Sequence, residues 1–519
     1  MKRWVELLDG LSWQPCPGRF PAPEPDLVLT GLTHDSRQIR PGYLFVAIQG
    51  RTADGNRFAA QAAAAGAAAV VTDAPDHLPA LDIPVACVPD ARLALAHAAA
   101  SFYDHPARRL TLVSITGTLG KTSVAEMVAA ILKQAGPELE PGVIGSLGIR
   151  FRDEHWPSLL TTPDPVTLHR ALAAMVRAGI RVAVMEVTSH AQLQRRVAGL
   201  RFSLACLLNL VPGEHADIHP SFDHYASVKL RILDQVRPGG LFLFNGDDPE
   251  VVARAGPRLA GLPCRSMSYR YRGPGEASRS RPTPAALVYE GTLPGLLSFT
   301  TPGPFPTLSG DRPPARFQAP LALWGEQNRE NAAAAAAITL ALGVDPRAVV
   351  TGLAAARPAR RRMEPVYQGS FQVLDDTTGH PASFDALFRS LEPIPREGIV
   401  LLTAVRGSRG ESINRANARA IARWARRLPI RAVLVTASAE AVHPKDAVQP
   451  HEWQAFREEL FEAGVQADYH LELHPAVEAA LETVRPGEIL VIAGTQALDQ
   501  ATPILHELLN DRAAGAQNP

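Results

Sequence analysis

The stretch TGTLGKTS, residues 116–123, holds the residue types best suited to chemistry in this chain. Gly117 and Gly120 let a backbone approach an anion with no Cβ in the way. Lys121 offers a point charge to the outer phosphates of a nucleotide, and the Thr122 hydroxyl offers a ligand to Mg2+. Thr118 and Ser123 complete the run. The common phosphate loop is G-x-x-x-x-G-K-[ST], and Ile115 stands where its first glycine belongs. The residues leave open a nucleotide loop of a shorter kind and a plain glycine turn into a helix.

Other candidates follow the loop. Glu186 ends the apolar run RVAVMEV, where a carboxylate at a strand's carboxyl end is placed to hold a cation. NLVPGEHADIHPSFDHYASVKL (209–230) then concentrates acids, histidines and Lys229, with His215, Asp217 and His219 able to serve a hard cation or to orient phosphate. Solvated loops with such clusters are often inert. Of 52 basic residues only Lys2, Lys121, Lys133, Lys229 and Lys445 are lysine. A chain that otherwise uses arginine keeps lysine where amine chemistry is required, which points at Lys121 and Lys229.

These residues need elements to position them. LTLVSIT (110–116) is a compact β-branched run, as in a buried parallel strand. Beyond the loop, Val124, Met127, Val128, Ile131 and Leu132 fall on one helical face. RVAVMEV, LACLLNL and GLFLFNG read as further strands, and ENAAAAAAITLALG (330–343) as a helix. Residues 266–320 read as irregular or antiparallel structure. Around this block, GYLFVAI and AAAVVTD suggest a small α/β domain before a linker at HPARRL (105–110). GIVLLTA, RAVLVTA and EILVIAGT, alternating with NRANARAIARWARR and AVEAALETV, predict a second doubly wound sheet. The tail NDRAAGAQNP is expected to fray.

The bulk numbers agree with three α/β domains: small 1–107, central 108–357 and C-terminal 358–519. The central one carries the phosphate loop on a doubly wound, mostly parallel sheet, and the last is Rossmann-like. Hydrophobic residues make up 46% and the formal net charge is zero, so neither nucleic acid nor an anionic membrane is indicated as a partner. No apolar run is long enough to span a bilayer, and no signal peptide is read at the start. Cys16, Cys87, Cys206 and Cys264 are scattered, and are expected to be free thiols of a reducing cytoplasm.

Taken together, the motifs resemble those of the Mur ligases, closest to the MurE type. The loop resembles that family's G-T-x-G-K-T-[ST], in which the first glycine is absent. THDSRQIRPGYLFVAIQGRTADGNRF (33–58), TTPDPVTLHRAL (161–172) and MEVTSHAQLQRRVAGLRF (185–202) are similar to its substrate-side segments. YASVKL (225–230) resembles Y-x-x-x-K, and NRENAAAAAA and RRRMEPV (360–366) resemble F-N-x-x-N and G-R-M-E.

The resemblance implies ATP-dependent amide bond formation through an acyl phosphate, adding an amino acid to UDP-N-acetylmuramoyl-L-alanyl-D-glutamate for peptidoglycan precursors. It implies ATP contacts from Gly117, Thr118, Gly120, Lys121, Thr122, Ser123, Asn328, Asn331, Arg362 and Asp375, the last on the ribose. Thr122 and Glu186 would hold one Mg2+, and Lys229, carbamylated by CO2, a second one beside His215. Lys121, Lys229 and His215 would be the catalytic set. Ser36 would meet the uracil end, while Thr161, Thr162, Thr188, Gln194 and Arg196 hold the sugar-peptide. The partners are then a UDP-MurNAc-dipeptide and a free amino acid, met by a cytoplasmic monomer.

Four departures stand against the family pattern. Leu119 replaces an asparagine, and the His215 segment is one residue longer. LDDTTGHPASF (374–384) replaces D-Y-A-H-T-P, so Asp375 or Asp376 supplies the acid and His380 stands near the missing histidine. VTASAEAV (435–442) lacks D-N-P-R, and AGTQALD (493–499) replaces G-K-G-H-E. RGSRGESINR (406–415) is either a carboxylate-recognising loop or a solvated basic one. The acceptor amino acid stays open, as do a ligase for another substrate pair and a non-catalytic nucleotide-binding paralogue.

Overall fold

The computed structural model describes every residue except 17–18, 51–52, 213–217, 273–284, 294, 322, 324, 359, 395 and 516–519. His215 and Asp217 therefore lie outside the described residues. The described residues form three main sheets in chain order, as expected of a three-domain α/β chain.

The central sheet has eleven described strands. Its middle is parallel, running from Gly142–Gly145 through Val182–Glu186, Thr111–Thr116, Phe202–Leu207, Val236–Asn245 and Arg265–Tyr271 to Ala285–Leu293. These strands are apolar on both faces because helices cover both, and Leu112, Val113 and Ile115 are all buried. The helix Lys121–Ala135 buries the predicted face of Val124, Met127, Val128, Ile131 and Leu132. It packs on the helices Glu326–Ala341 and Pro346–Ala355. Alanines 332–337 are all buried, and their small side chains allow that close approach.

Three expectations are corrected. The sequence of residues 266–320 predicts irregular or antiparallel structure. Arg265–Tyr271 and Ala285–Leu293 continue the sheet in parallel, whereas the antiparallel part of the expectation holds for Leu296–Thr300 with its neighbours Ala285–Leu293 and Arg316–Pro320 and for Phe305–Thr307 with Gly310–Arg312. Their β-rich sequence is cut by prolines and glycines, which hid the strands from a pattern reading. Residues 510–515 of the tail expected to fray continue the helix Ala501–Gly515, whose Leu505 is buried against the last sheet, and 516–519 lie outside the described residues. Cys16 and Cys87 are not free: they form a disulfide across Cα atoms 5.5 Å apart. The strand Gln14–Pro15 pairs antiparallel with Val85–Cys87, which brings residues distant in sequence to the same sheet edge. Cys206 and Cys264 are free, as expected.

The N-terminal sheet has five described strands, in the order Gln14–Pro15, Val85–Cys87, Ala67–Thr72, Tyr43–Ala47, Gly31–Thr33. The C-terminal sheet has six, with Ile489–Ala493 between Gln372–Asp376 and Ile399–Ala404. Both are parallel apart from one edge strand each. No helix among the described residues is long and apolar enough to cross a membrane.

Candidate active site

The site follows from the register of the central sheet. Glu186 pairs with Ile115, so the carboxyl end of one strand lies beside the loop that leaves its neighbour. That edge of a parallel sheet is where ligands bind in such folds. A cleft of about 400 Å³ opens there between the central and C-terminal domains.

The loop needs its glycines. Gly120 has φ of 85°, the left-handed region, and a Cβ there would collide with the Asn331 side chain. A Cβ on Gly117 would stand 2.9 Å from Leu208 Cβ. Asn209 holds the loop from behind: Leu119 N donates to its Oδ1 (2.8 Å) and its Nδ2 donates to Leu119 O (3.2 Å). The backbone cradle thus survives the leucine at 119.

Lys121 Nζ donates to the carbonyls of Gly117 and Thr118, each at 2.9 Å. Lys229 Nζ donates to the same Gly117 carbonyl at 2.8 Å and is 2% exposed. Two lysines from separate helices therefore meet at one loop oxygen. Tyr225, one turn before Lys229, lays its ring 4.9 Å from the Lys229 amine. Its hydroxyl bonds Thr118 Oγ1 at 2.9 Å, fixing the loop to the lysine's helix.

On the other side of the loop, Thr122 Oγ1 donates to Glu186 Oε2 at 3.0 Å. Ser146 N donates to Glu186 Oε1 (2.8 Å) and its hydroxyl to Oε2 (3.3 Å). Burial raises the Glu186 pKa, against the pull of the Lys121 charge and the Ser146 N–H. Hydroxyl and carboxylate oxygens around one buried point suit a hard cation. No group of three or more His, Cys, Asp or Glu among the described residues is placed to hold a metal by itself.

The expected substrate residues connect to this centre. Ser146 Oγ and Thr161 Oγ1 are 3.1 Å apart. Thr162 Oγ1 donates to Glu186 O (2.9 Å) and accepts from Thr188 N (3.2 Å). Arg196 donates to Thr162 O (2.8 Å) and to Gln194 Oε1 (2.7 Å); burial lowers its pKa. Thr161, Thr188 and Arg196 line the cleft, whereas Gln194 stands behind Arg196. Ser36 lies in the N-terminal domain, off the cleft, with its hydroxyl on Gln61 Oε1 (3.2 Å).

Thr118, Gly120, Lys121, Thr122, Ser123, Asn328, Asn331 and Arg362 all line the cleft, Arg362 from the C-terminal side. Asp375 does not. It is fully buried, with its carboxylate on the Arg361 guanidinium (3.0 and 3.2 Å) and the Thr502 hydroxyl (2.6 Å). Asp376 lines the cleft instead, because neighbours on a strand point to opposite faces. Asp376 accepts from Met363 N (2.9 Å) and from the Thr378 hydroxyl, and burial raises its pKa. His380 caps the helix Pro381–Leu391, its Nδ1 accepting from Ala382 N.

The residue reading missed Ser146, His190, Tyr225 and Asn209. His190 and Ser146 line the cleft. Tyr225 was findable, since its i,i+4 spacing to Lys229 shares one helix face. His219, named with the loop cluster, is buried and bonds His224 (3.0 Å) and Ser189 (3.1 Å).

Comparison with known proteins bears on this geometry. The Mur ligase middle domain matches residues 115–269, which span the loop, Glu186 and Lys229. The Mur ligase family, catalytic domain, matches 28–103, and the Mur ligase, glutamate ligase domain, matches 361–496. The chain is 32% identical to the UDP-N-acetylmuramoyl-L-alanyl-D-glutamate–2,6-diaminopimelate ligase of Gloeobacter violaceus, over 91% of this chain and 89% of that one. It is 33% identical to the enzyme of the same name from Chlorobaculum tepidum, over 90% and 87%. In fold it is similar to MurF from Acinetobacter baumannii (TM-score 0.64, 21% identity, 93% and 94% covered). It is also similar to the MurF ligase of Thermotoga maritima in complex with ADP (TM-score 0.62, 18% identity, 94% and 99% covered). Three successive family matches fall one on each sheet, and the relatives run nearly end to end with this chain: it belongs to the Mur ligase family, on its MurE-type branch.

Proposed function

We propose that this chain is an ATP-dependent, ADP-forming ligase that joins an amino acid to UDP-N-acetylmuramoyl-L-alanyl-D-glutamate through an acyl phosphate. The observation that carries the reading is the convergence of Lys121 and Lys229 on the Gly117 carbonyl, beside the Thr122–Glu186 pair. A carboxylate attacking a phosphate brings two anions together; the Lys121 cation, and the Mg2+ that a carbamylated, anionic Lys229 would help hold, reduce that repulsion.

In this reading Lys121 binds the outer phosphates and steadies the transferring group. The loop N–H groups and the helix beginning at Lys121 hold the remaining phosphate oxygens. Asn328 and Asn331 face the adenine end, while Arg362 and Asp376 reach the nucleotide from the C-terminal domain. Thr161, Thr188 and Arg196 orient the sugar-peptide, with buried Thr162 bracing Thr188, Gln194 bracing Arg196 and Ser36 at the distant uracil end. The domains divide the work at 1–107 for the UDP end, 108–357 for ATP and 358–519 for the amino acid. Closure of the last domain keeps water from the acyl phosphate.

Thr122, Glu186 and a carbamylated Lys229, with His215, are the residues that would hold two Mg2+. Bound there, the ions supply charge stabilisation at the phosphate.

The relatives are named for 2,6-diaminopimelate, which makes that amino acid the first acceptor to test. After the strand Ile430–Thr436, Ser438 is buried, and Glu440 is engaged at the start of the helix Leu473–Thr483, accepting from the N–H groups of Leu473 (2.6 Å) and His474 (3.1 Å). The test is phosphate release from ATP with the UDP-dipeptide and a panel of amino acids. Release that requires both substrates supports the reading, and the panel names the acceptor. ATP binding without release under any pair sinks it.

A further inference from the structure

We propose that Arg361 is a positioning residue for the nucleotide: it clamps the interdomain crossing to the C-terminal domain so that Arg362 and Asp376 face the cleft. The inference deepens the ligase reading and rests on it.

The chain passes from the central to the C-terminal domain just before the strand Glu364–Gln368. There Arg361 has φ of 56° and Met363 has φ of 51°. Left-handed conformation at two non-glycine residues two apart is costly, and it persists only where the surroundings impose it. The segment G-R-M-E, which this stretch resembles, has glycine at the first of these positions. Here an arginine accepts the strained backbone.

Its side chain supplies the reason. Arg361 is 5% exposed, and every nitrogen of its guanidinium is engaged. Nε donates to both oxygens of Asp375, at 3.0 and 3.2 Å. Nη1 donates to Thr495 O (3.0 Å) and to the Asp499 carboxylate. Nη2 donates to Gly494 O (2.7 Å). The backbone is held as well: Arg361 N donates to Glu364 Oε2 (2.7 Å), and Thr377 N donates to Arg361 O (2.8 Å). One residue thus joins the crossing to two adjacent strands and to the loop 494–499.

Two neighbouring pairs then divide their work. Arg361 and Asp375 meet in the interior, and Arg362 and Asp376 line the cleft. Arg362 Nη1 donates to Thr377 O (3.2 Å), and Met363 N donates to Asp376 Oδ2 (2.9 Å), so each cleft residue is fixed by the backbone that Arg361 holds. Turning Arg361 out would release both together. A planar guanidinium serves four acceptor groups in different directions, which an ammonium on a flexible stem does not reproduce.

Glycine at 361 separates strain from clamping, since it accepts the positive φ and deletes the clamp. Affinity for a fluorescent ATP analogue and the KM for ATP and for the UDP-dipeptide are measured in Arg361→Gly, Arg361→Lys and Asp499→Ala. Arg361→Gly is expected to weaken nucleotide binding and raise the ATP KM at least about tenfold. The UDP-dipeptide KM should stay within about twofold, because that substrate is held by the other domains. Millimolar methylguanidinium should restore part of the nucleotide affinity in Arg361→Gly, and Arg361→Lys should resemble the glycine variant. If Arg361→Gly does not fold, as judged by circular dichroism, Arg361→Lys and the half-exposed Asp499→Ala decide the matter. Wild-type ATP affinity in the folded variants overturns the inference, and so does an equal rise in both KM values. Wild-type protein that binds no nucleotide would instead overturn the ligase reading.

Discussion

The two walls of the cleft are built by different means. The central wall takes Gly120, Lys121, Thr122 and Ser123 from one short run, presented by a strand, a turn and a helix. Glu186, which lines the same wall, and Lys229, which bonds the loop from behind, come from elements packed directly against that unit. The C-terminal wall has no comparable run. Arg362 and Asp376 reach the cleft because Arg361 and Asp375, their neighbours in sequence, are tied together behind them. The first wall is local backbone geometry with a lysine in it; the second is a tertiary ion network with two side chains projecting from it. Losses in the first should therefore be chemical, and losses in the second should mix affinity with stability.

The largest effect is expected at the lysines. Lys121→Ala should lower kcat by about 10²–10³ or more, with folding unchanged by circular dichroism. Lys229→Ala should abolish turnover and regain part of it with a small carboxylic acid that replaces the carbamate. Full activity in Lys229→Ala would remove that role and with it much of the contrast between the walls.

Glu186→Gln comes next. It keeps the Thr122 contact but removes the charge, so the Mg2+ concentration needed for half-maximal activity should rise at least about tenfold. A Mg2+ titration of activity checks this.

The comparison is sharpest at 375 and 376. Asp375→Asn removes the buried carboxylate from Arg361, leaving it only the half-exposed Asp499, and should cost about 3 kcal/mol in urea unfolding. Asp376→Asn should leave the unfolding midpoint in place and raise the ATP KM. The reverse pattern would mean that the two aspartates have been assigned to the wrong faces.

A smaller effect is expected far from either wall. Removing the Cys16–Cys87 bond, as in Cys16→Ser, should destabilise the N-terminal domain by about 2–4 kcal/mol, with nucleotide affinity unaltered. The smallest concerns Glu330, on the helix that carries Asn328 and Asn331. Burial, then Glu326 and Asp247, push its pKa from an ordinary 4.5 to about 7. The folded state therefore binds the extra proton between those values, and stability falls as pH rises through that window. Glu330→Gln should flatten this slope in urea midpoints measured from pH 4.5 to about 7.

The legibility of each wall follows the same division. Lys121, Thr122, Glu186 and Lys229 were readable because a glycine loop, a strand end and an unusual lysine each carry a local reason for their residue type. The central helix face was readable from its period. Ser146 was not, since one serine after a short strand has no pattern; only the register beside Glu186 gives it a role. Asp375 was preferred over Asp376 because two consecutive acids are equivalent in sequence, while a strand sends them to opposite faces. The strands from 265 to 320 were obscured by turn residues inside a β-rich stretch, and the disulfide by the separation of its partners.

Sequence by itself determined the three α/β units, the phosphate loop and the kinship, because these rest on periodicity, glycine placement and short-range motifs that exist before folding. Tertiary structure decided which acid faces the cleft, how two lysines share one carbonyl and what holds the crossing at 361. Those depend on which distant groups are brought within hydrogen-bond range, and burial then fixes their partners, since a polar group removed from water must find one.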